Sequence, residues 1–211
     1  MFETYHKNEK ISRAEAQSMD GHRHAAHCLI YAKTDSEAIF GEKAVALVSM
    51  HLRYDGTFGF PGGLVDEGES WEQSCLRELK EEAGVDTEKH TANHLRYLNS
   101  TVDHSSPVGP LCLHFFALEV GEQEFRDIER DTLTAHHYAT ETLGVLRVPL
   151  YVLRGRRPSS SGLPAFLQQR FIGNSRQQLL EALVQLELLT KQTVEAALEV
   201  AKLQPELVWD L

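Results

Sequence analysis

Residues 63 to 85 read Gly63-Leu64-Val65-Asp66-Glu67-Gly68-Glu69-Ser70-Trp71-Glu72-Gln73-Ser74-Cys75-Leu76-Arg77-Glu78-Leu79-Lys80-Glu81-Glu82-Ala83-Gly84-Val85. Ser70 followed three residues later by Gln73 is a capping box, and Gly84 is placed to end a helix in the left-handed conformation. No glycine or proline lies between them, so the spacing predicts a helix over Trp71 to Ala83. With Trp71 at zero and about 100° per residue, Cys75, Leu79, Ala83 and Leu76 fall on one core-facing arc. Glu78 and Glu82 lie about 20° to either side of Trp71, and Glu81 lies about 80° away. Like charges three and four residues apart repel by a few tenths of a kcal/mol when exposed, and by far more when partly desolvated. A cation reverses that sign, and hard oxygen donors in this number suit Mg²⁺ or Mn²⁺. The alternative for three glutamates alone is a solvated acidic face neutralised by Arg77 and Lys80.

The whole run decides between these. Gly63, five residues, Glu69, seven residues, then Arg77-Glu78-Leu79-Lys80-Glu81-Glu82-Ala83-Gly84-Val85 matches each fixed position of the Nudix box. By that resemblance the chain is identified as a Nudix hydrolase, which cleaves a nucleoside diphosphate linked to another moiety by water attack at phosphorus. The resemblance implies Mg²⁺ or Mn²⁺, or else Co²⁺. It makes Glu78, Glu81 and Glu82 the metal ligands, with Arg77 orienting one of them. It makes Glu69 a support for the loop or for a water, and the Gly62 carbonyl a further ligand. The general base is left open between Glu141 and Glu81.

Outward from this run, the chain has 211 residues, 42% of them hydrophobic, and a formal net charge of −10. A chain of that size buries about 70% of its surface on folding, enough for one sizeable domain. Residues 1–20 are polar without clear periodicity and read as an N-terminal arm, with the ordered domain covering 21–211. No run approaches the roughly 18 uncharged apolar residues of a membrane span, and the charged N-terminus lacks a signal peptide's apolar core. Cys28, Cys75 and Cys112 have no CxxC spacing, which implies a reducing compartment. Strand-like runs fall at 27–33, 43–52, 95–102, 111–120 and 144–153. Further helical patterns fall at 176–189 and 194–203, the last stopped by Pro205. Strands with interspersed helices and a helical end predict an α/β (α+β) architecture, a mixed sheet sandwiched between helices, which is also the Nudix fold.

Several segments narrow the resemblance. His24-Ala25-Ala26-His27-Cys28-Leu29-Ile30-Tyr31, Arg147-Val148-Pro149-Leu150-Tyr151, Gly162-Leu163-Pro164-Ala165-Phe166-Leu167, Phe171-Ile172-Gly173 and Gln178-Leu179-Leu180-Glu181-Ala182-Leu183 are similar to the vertebrate U8 small nucleolar RNA-decapping Nudix hydrolases. The similarity runs over roughly residues 21–190. It implies hydrolysis of capped RNA with release of a methylated guanosine diphosphate, a related activity on inosine and guanosine nucleotides, a homodimer, and a nuclear or nucleolar home with some cytoplasmic presence. Matching positions make His27, Arg53, Phe60 and Gln178 nucleotide-site candidates, and His104 and Glu181 metal or phosphate contacts. Gln178 and Glu181, three apart on a helix, share a face. Phe60, ahead of Pro61-Gly62-Gly63, is placed to stack on a purine or to sit in the core.

Charge is unevenly spread. Between Thr142 and Leu180 there are six arginines and no Asp or Glu, so this segment carries +6 and the remainder −16. Arg154, Arg156 and Arg157 within it are candidate RNA contacts; the alternative is a solvated surface. The pair His136 and His137 shows no assignable spacing. A second class of function, a binding module that holds capped or free nucleotides without cleaving them, would have no need of three adjacent repelling carboxylates.

Overall fold

The computed structural model describes residues 8–19, 21–35, 38–39, 42–104, 106, 109–151, 153, 157 and 160–203. Among these, one mixed sheet holds β1 (Glu9–Ile11), β2 (Arg23–Lys33), β5 (Ala46–Arg53), β6 (Phe58–Gly59), β7 (Gly62–Leu64), β8 (Leu95–Asp103), β9 (Leu111–Glu119) and β10 (Thr142–Arg147). The order is β1-β8-β9-β2-β5-β10, with β6 beside β5 and β7 beside β2. Only β2 and β9 run parallel among these pairs. A separate two-stranded pair joins β3 (Ala38–Ile39) and β4 (Glu42–Lys43).

β2 is the axis of the fold. One edge pairs with β9, while the other pairs first with β7, at residues 25–27, and then with β5, at residues 31–33. Its middle, Cys28 to Ala32, is buried throughout, because successive side chains go to opposite faces and both are covered. Ala26, Cys28, Ile30 and Ala32 join Leu47, Phe116 and Leu118 under α2 (Trp71–Ala83) and α3 (Glu122–Thr132). Leu29 and Tyr31 join Met50, Phe60 and Phe115 under α4 (Gly162–Leu167), α5 (Ser175–Gln185) and α6 (Lys191–Ala201). The expected sheet between helical layers is the observed architecture.

Elements differ in detail from the sequence reading. Residues 9–17, expected within an arm, form β1 and α1 (Arg13–Gln17), and β1 pairs antiparallel with β8. The strand expected over 144–153 ends at Arg147, two residues before Pro149, whose missing N–H cannot continue a ladder. The helix expected over 176–189 ends at Gln185, and Glu187 takes a left-handed φ of 57°. α3 was not foreseen; its Phe125 and Ile128 are buried at helical spacing. All three cysteines are free and buried. Among the described residues no helix is long and apolar enough to cross a membrane.

Candidate active site

α2 forms as its caps dictate. Ser70 accepts from the Gln73 N–H while the Gln73 side chain accepts from the Ser70 N–H, and Gly84 ends the helix at φ 69°. Its buried positions include Cys75, Leu79 and Ala83, and with them Glu78 and Glu82. Two carboxylates are thus carried into the protein by the same stripe that carries the apolar residues.

β7 closes over them. Gly62 has φ 146°, and an added Cβ would strike the Ala26 carbonyl. Only glycine fits that conformation. Its N–H donates to Glu82 Oε2 at 3.0 Å. At Gly63 a Cβ would come within 2.5 Å of Glu78 Oε1, so both glycines exist to let backbone meet carboxylate.

Arg77 organises the near side. Its Nε and Nη2 donate to the two oxygens of Glu69 at 3.0 and 3.2 Å, and Nη1 donates to Glu78 at 2.7 Å and to Glu81 at 3.3 Å. Nη2 also donates to the Leu64 carbonyl, tying the β7 end to the helix. This is the charge-assisted orientation expected of Arg77, and Glu69 supports the loop through it. Arg77 in turn holds the Glu69 carboxyl below its ordinary value.

The far side is less compensated. Burial, helped by the Glu78 and Glu141 charges, pushes the Glu82 carboxyl up to about 8 against its Gly62 hydrogen bond and the Arg53 charge. Burial also raises Glu78 in spite of Arg77. His51 Nδ1 lies 4.0 Å from Glu82, but burial and the Arg53 charge hold that imidazole at about 4, hence neutral. Glu82 thus holds its proton unusually tightly, with no Lys or Arg in contact among the described residues, and a divalent ion would supply the positive charge that its ionised form lacks. Among the described residues two sets of donor atoms each lie within 4.8 Å of one another, Glu78-Glu81-His137 and Glu82-His137-Glu141. Oxygen-rich sets with one imidazole fit Mg²⁺, Mn²⁺ or Co²⁺.

Glu141 belongs to the second set and is half-exposed, which leaves it accessible to water. His27 lies opposite Gly62 in the β2–β7 register, and burial with the Arg53 charge lowers it to about 4. Arg53 ends β5, lies 3.7 Å from Asp55 and sits over the Tyr54 ring. Gln178 and Glu181 are both buried on α5. Glu181 is held by Lys10 at 2.9 Å, Gln177 at 2.9 Å and Asn99 at 3.3 Å, and it joins neither donor set. His104 is 63% exposed, has Glu9 at 3.8 Å, and likewise joins neither. Arg157 is exposed; Arg154 and Arg156 lie outside the described residues.

Of the two places open to Phe60, a purine face or the core, the structure has it in the core. It is 2% exposed and packs at 4.9 Å between ring centroids on Phe115, within the core under α4 to α6. Buried against Phe115, its ring offers no face to a base here. Two residues were not foreseen at the site, His137 and His51. His137 reaches it because its N–H donates to the Glu81 carbonyl at 3.0 Å, a tertiary bond with no trace in local spacing. His51 lies in the strand run, and only its polarity amid apolar neighbours marked it.

Comparison with known proteins agrees with this geometry. A protein-family model described as "Nudt16-like: U8 snoRNA-decapping enzyme-like" matches residues 24–189. The chain is 37% identical to the U8 snoRNA-decapping enzyme of Xenopus laevis over 90% of its own length and 87% of the relative's. It is 39% identical to the mouse enzyme of that name, over 87% and 91%. It is 30% identical to the human Tudor-interacting repair regulator protein, over 92% and 88%. Among solved structures, a MutT/nudix family protein from Enterococcus faecalis aligns with a TM-score of 0.57 at 15% identity, covering 90% of this chain and 74% of that one. The NUDIX domain of Shewanella oneidensis NrtR aligns with a TM-score of 0.52 at 18% identity, covering 83% and 99%. The chain belongs to the U8 snoRNA-decapping enzyme-like family of Nudix hydrolases, enzymes that act on phosphoric anhydride bonds.

Proposed function

We propose that the chain is a divalent-cation-dependent decapping hydrolase that releases a (methylated) guanosine diphosphate and a 5′-monophosphate RNA from capped RNA, U8 small nucleolar RNA being the first choice of substrate. The observation that supports this most is the complete carboxylate set, with Glu78 and Glu82 buried and raised, in a chain so similar to decapping enzymes.

Glu78, Glu81, Glu82 and the Gly62 carbonyl would hold the cation, with Glu141 at the edge of the same cluster. When bound, the cation neutralises charge on the phosphoryl oxygens and makes the attacking water more acidic. Water oxygen bonds to phosphorus, the anhydride P–O bond breaks, and the departing phosphate remains on the RNA. Glu141 or Glu81 receives the proton of that water. Arg77 fixes the orientation of Glu78 and Glu81, while His27, kept neutral, and Arg53 face the nucleotide side. Gln178 supplies a base-edge hydrogen bond.

A second reading, hydrolysis of free inosine or deoxyinosine di- and triphosphates, is favoured by the state of the arginine segment. Arg147 is consumed by a bidentate pair with Glu129 at 2.7 Å, and Arg176 donates to the Gln169 carbonyl while covering Phe171. Part of the basic stripe thus serves the fold. Turnover of capped RNA, free cap dinucleotide and inosine diphosphate with Mg²⁺ and with Mn²⁺ separates the readings. Neutralising Arg154, Arg156 and Arg157 together should reduce the salt slope of RNA binding by about two to three, and leave inosine diphosphate turnover unchanged. On the family resemblance we add a homodimer and a nuclear or nucleolar residence, testable by solution mass and by imaging.

A further inference from the structure

We propose that His137 is a nitrogen ligand of this centre and sets its metal preference, favouring Co²⁺ and Mn²⁺ over Mg²⁺. The inference rests on the metal-dependent reading above and goes beyond it by assigning a donor outside the Nudix box.

The backbone fixes where the imidazole goes. The His137 N–H donates to the Glu81 carbonyl at 3.0 Å, and the His137 carbonyl accepts from Glu141 N at 3.0 Å and from Thr142 N at 3.3 Å. The turn carrying His137 is thereby stitched to the last turn of α2 on one side and to the start of β10 on the other. His137 offers a ring nitrogen to each donor set, the Glu78-Glu81 set and the Glu82-Glu141 set. No other residue is common to the two. Its Nδ1 is shielded from solvent, makes no hydrogen bond, and lies 3.6 Å from Glu141 Oε1, beyond hydrogen-bond reach. A buried nitrogen left unsatisfied among carboxylates calls for an explanation, and coordination supplies one.

Chemistry then sets the direction. A neutral imidazole adds a donor without adding to the negative charge already crowded on Glu78 and Glu82. Mg²⁺ strongly prefers oxygen, whereas affinity for nitrogen rises from Mn²⁺ to Co²⁺. A site of carboxylates alone would discriminate less, because the step from Mn²⁺ to Co²⁺ is smaller at oxygen than at nitrogen. If His137 were instead only a cationic neighbour of Glu141, its removal would act on all three metals alike.

The test is titration calorimetry of Mg²⁺, Mn²⁺ and Co²⁺ into the full chain, with the visible spectrum of the Co²⁺ form, for wild type, His137→Asn, His137→Gln and Glu82→Gln. His137→Asn should weaken Co²⁺ by about tenfold or more, Mn²⁺ by less, and Mg²⁺ by under about twofold. It should also shift the Co²⁺ absorption bands. Retained Mg²⁺ affinity certifies the fold of each histidine variant, and His137→Gln stands in where Asn does not fold. Glu82→Gln should weaken all three metals. Equal losses for the three metals, or an unchanged Co²⁺ spectrum, would overturn the role of His137 while leaving the centre in place. No divalent binding by the wild type would overturn the centre itself, and this inference with it.

Discussion

α2 and α5 both carry buried carboxylates into the protein, and Glu82 on the first and Glu181 on the second are treated differently. Glu181 on α5 is 5% exposed, yet an ammonium and two amide groups surround it. Glu82 on α2 is 4% exposed and has one backbone N–H, with two further carboxylates raising it. A buried charge that the protein itself satisfies belongs to the fold, and one left unsatisfied is built for something that arrives later. The β1 segment makes the difference, because Lys10 comes from it. Among the described residues no Lys or Arg pairs with Glu82, and the Arg53 charge only partly offsets its burial; Arg77 is spent on Glu69, Glu78 and Glu81.

Substitutions can break this contrast. The largest effect belongs to Phe60→Ala, on the α5 side, which should cost about 3–5 kcal/mol of stability in urea unfolding. Retention of stability with only a raised KM would restore Phe60 as a base-stacking residue. Glu82→Gln should lower kcat by about a hundredfold or more, equivalent to about 2.7–4 kcal/mol, with the metal-free protein no less stable. A comparable loss of stability there would mean that Glu82 is structural, like Glu181. Lys10→Met, which strands Glu181, should destabilise by about 1–3 kcal/mol. That is below the roughly 3–5 of a wholly buried pair, since Lys10 keeps part of its side chain in water. Adding Glu181→Gln to Lys10→Met should recover most of that loss, and a double-mutant cycle showing simple additivity would deny the pairing. Smallest, Arg77→Lys should reduce kcat about tenfold by loosening Glu78 and Glu81, with substrate binding little changed.

What could be read in advance was local. The caps of α2, its apolar stripe and the spacing from Gly63 to Val85 all lie within a few helical turns, so sequence alone placed Glu78 and Glu82 at the core edge. Phe60 was ambiguous because a Pro-Gly-Gly context is the same beside a ligand or a core; its packing on Phe115 places it in the core, and that contact is long-range. His137 was illegible for the same reason, its position resting on a bond to a distant helix. β1 is three residues long at a sheet edge, too short for any alternation to declare it. The Arg-rich segment looked like one feature because sequence shows a charge and not its partner. Glu129, which takes Arg147, comes from α3, the helix that was itself unseen.

The most direct test is turnover of capped RNA by the full chain with Mn²⁺ or Mg²⁺, by the same protein after chelation, and by Glu82→Gln. The wild type with metal should yield a nucleoside diphosphate and a 5′-monophosphate RNA, and the variant should lose about a hundredfold or more in rate. Chelation should abolish turnover. Cleavage that survives chelation, or a Glu82→Gln protein that turns over as the wild type does, would contradict the metal-dependent reading.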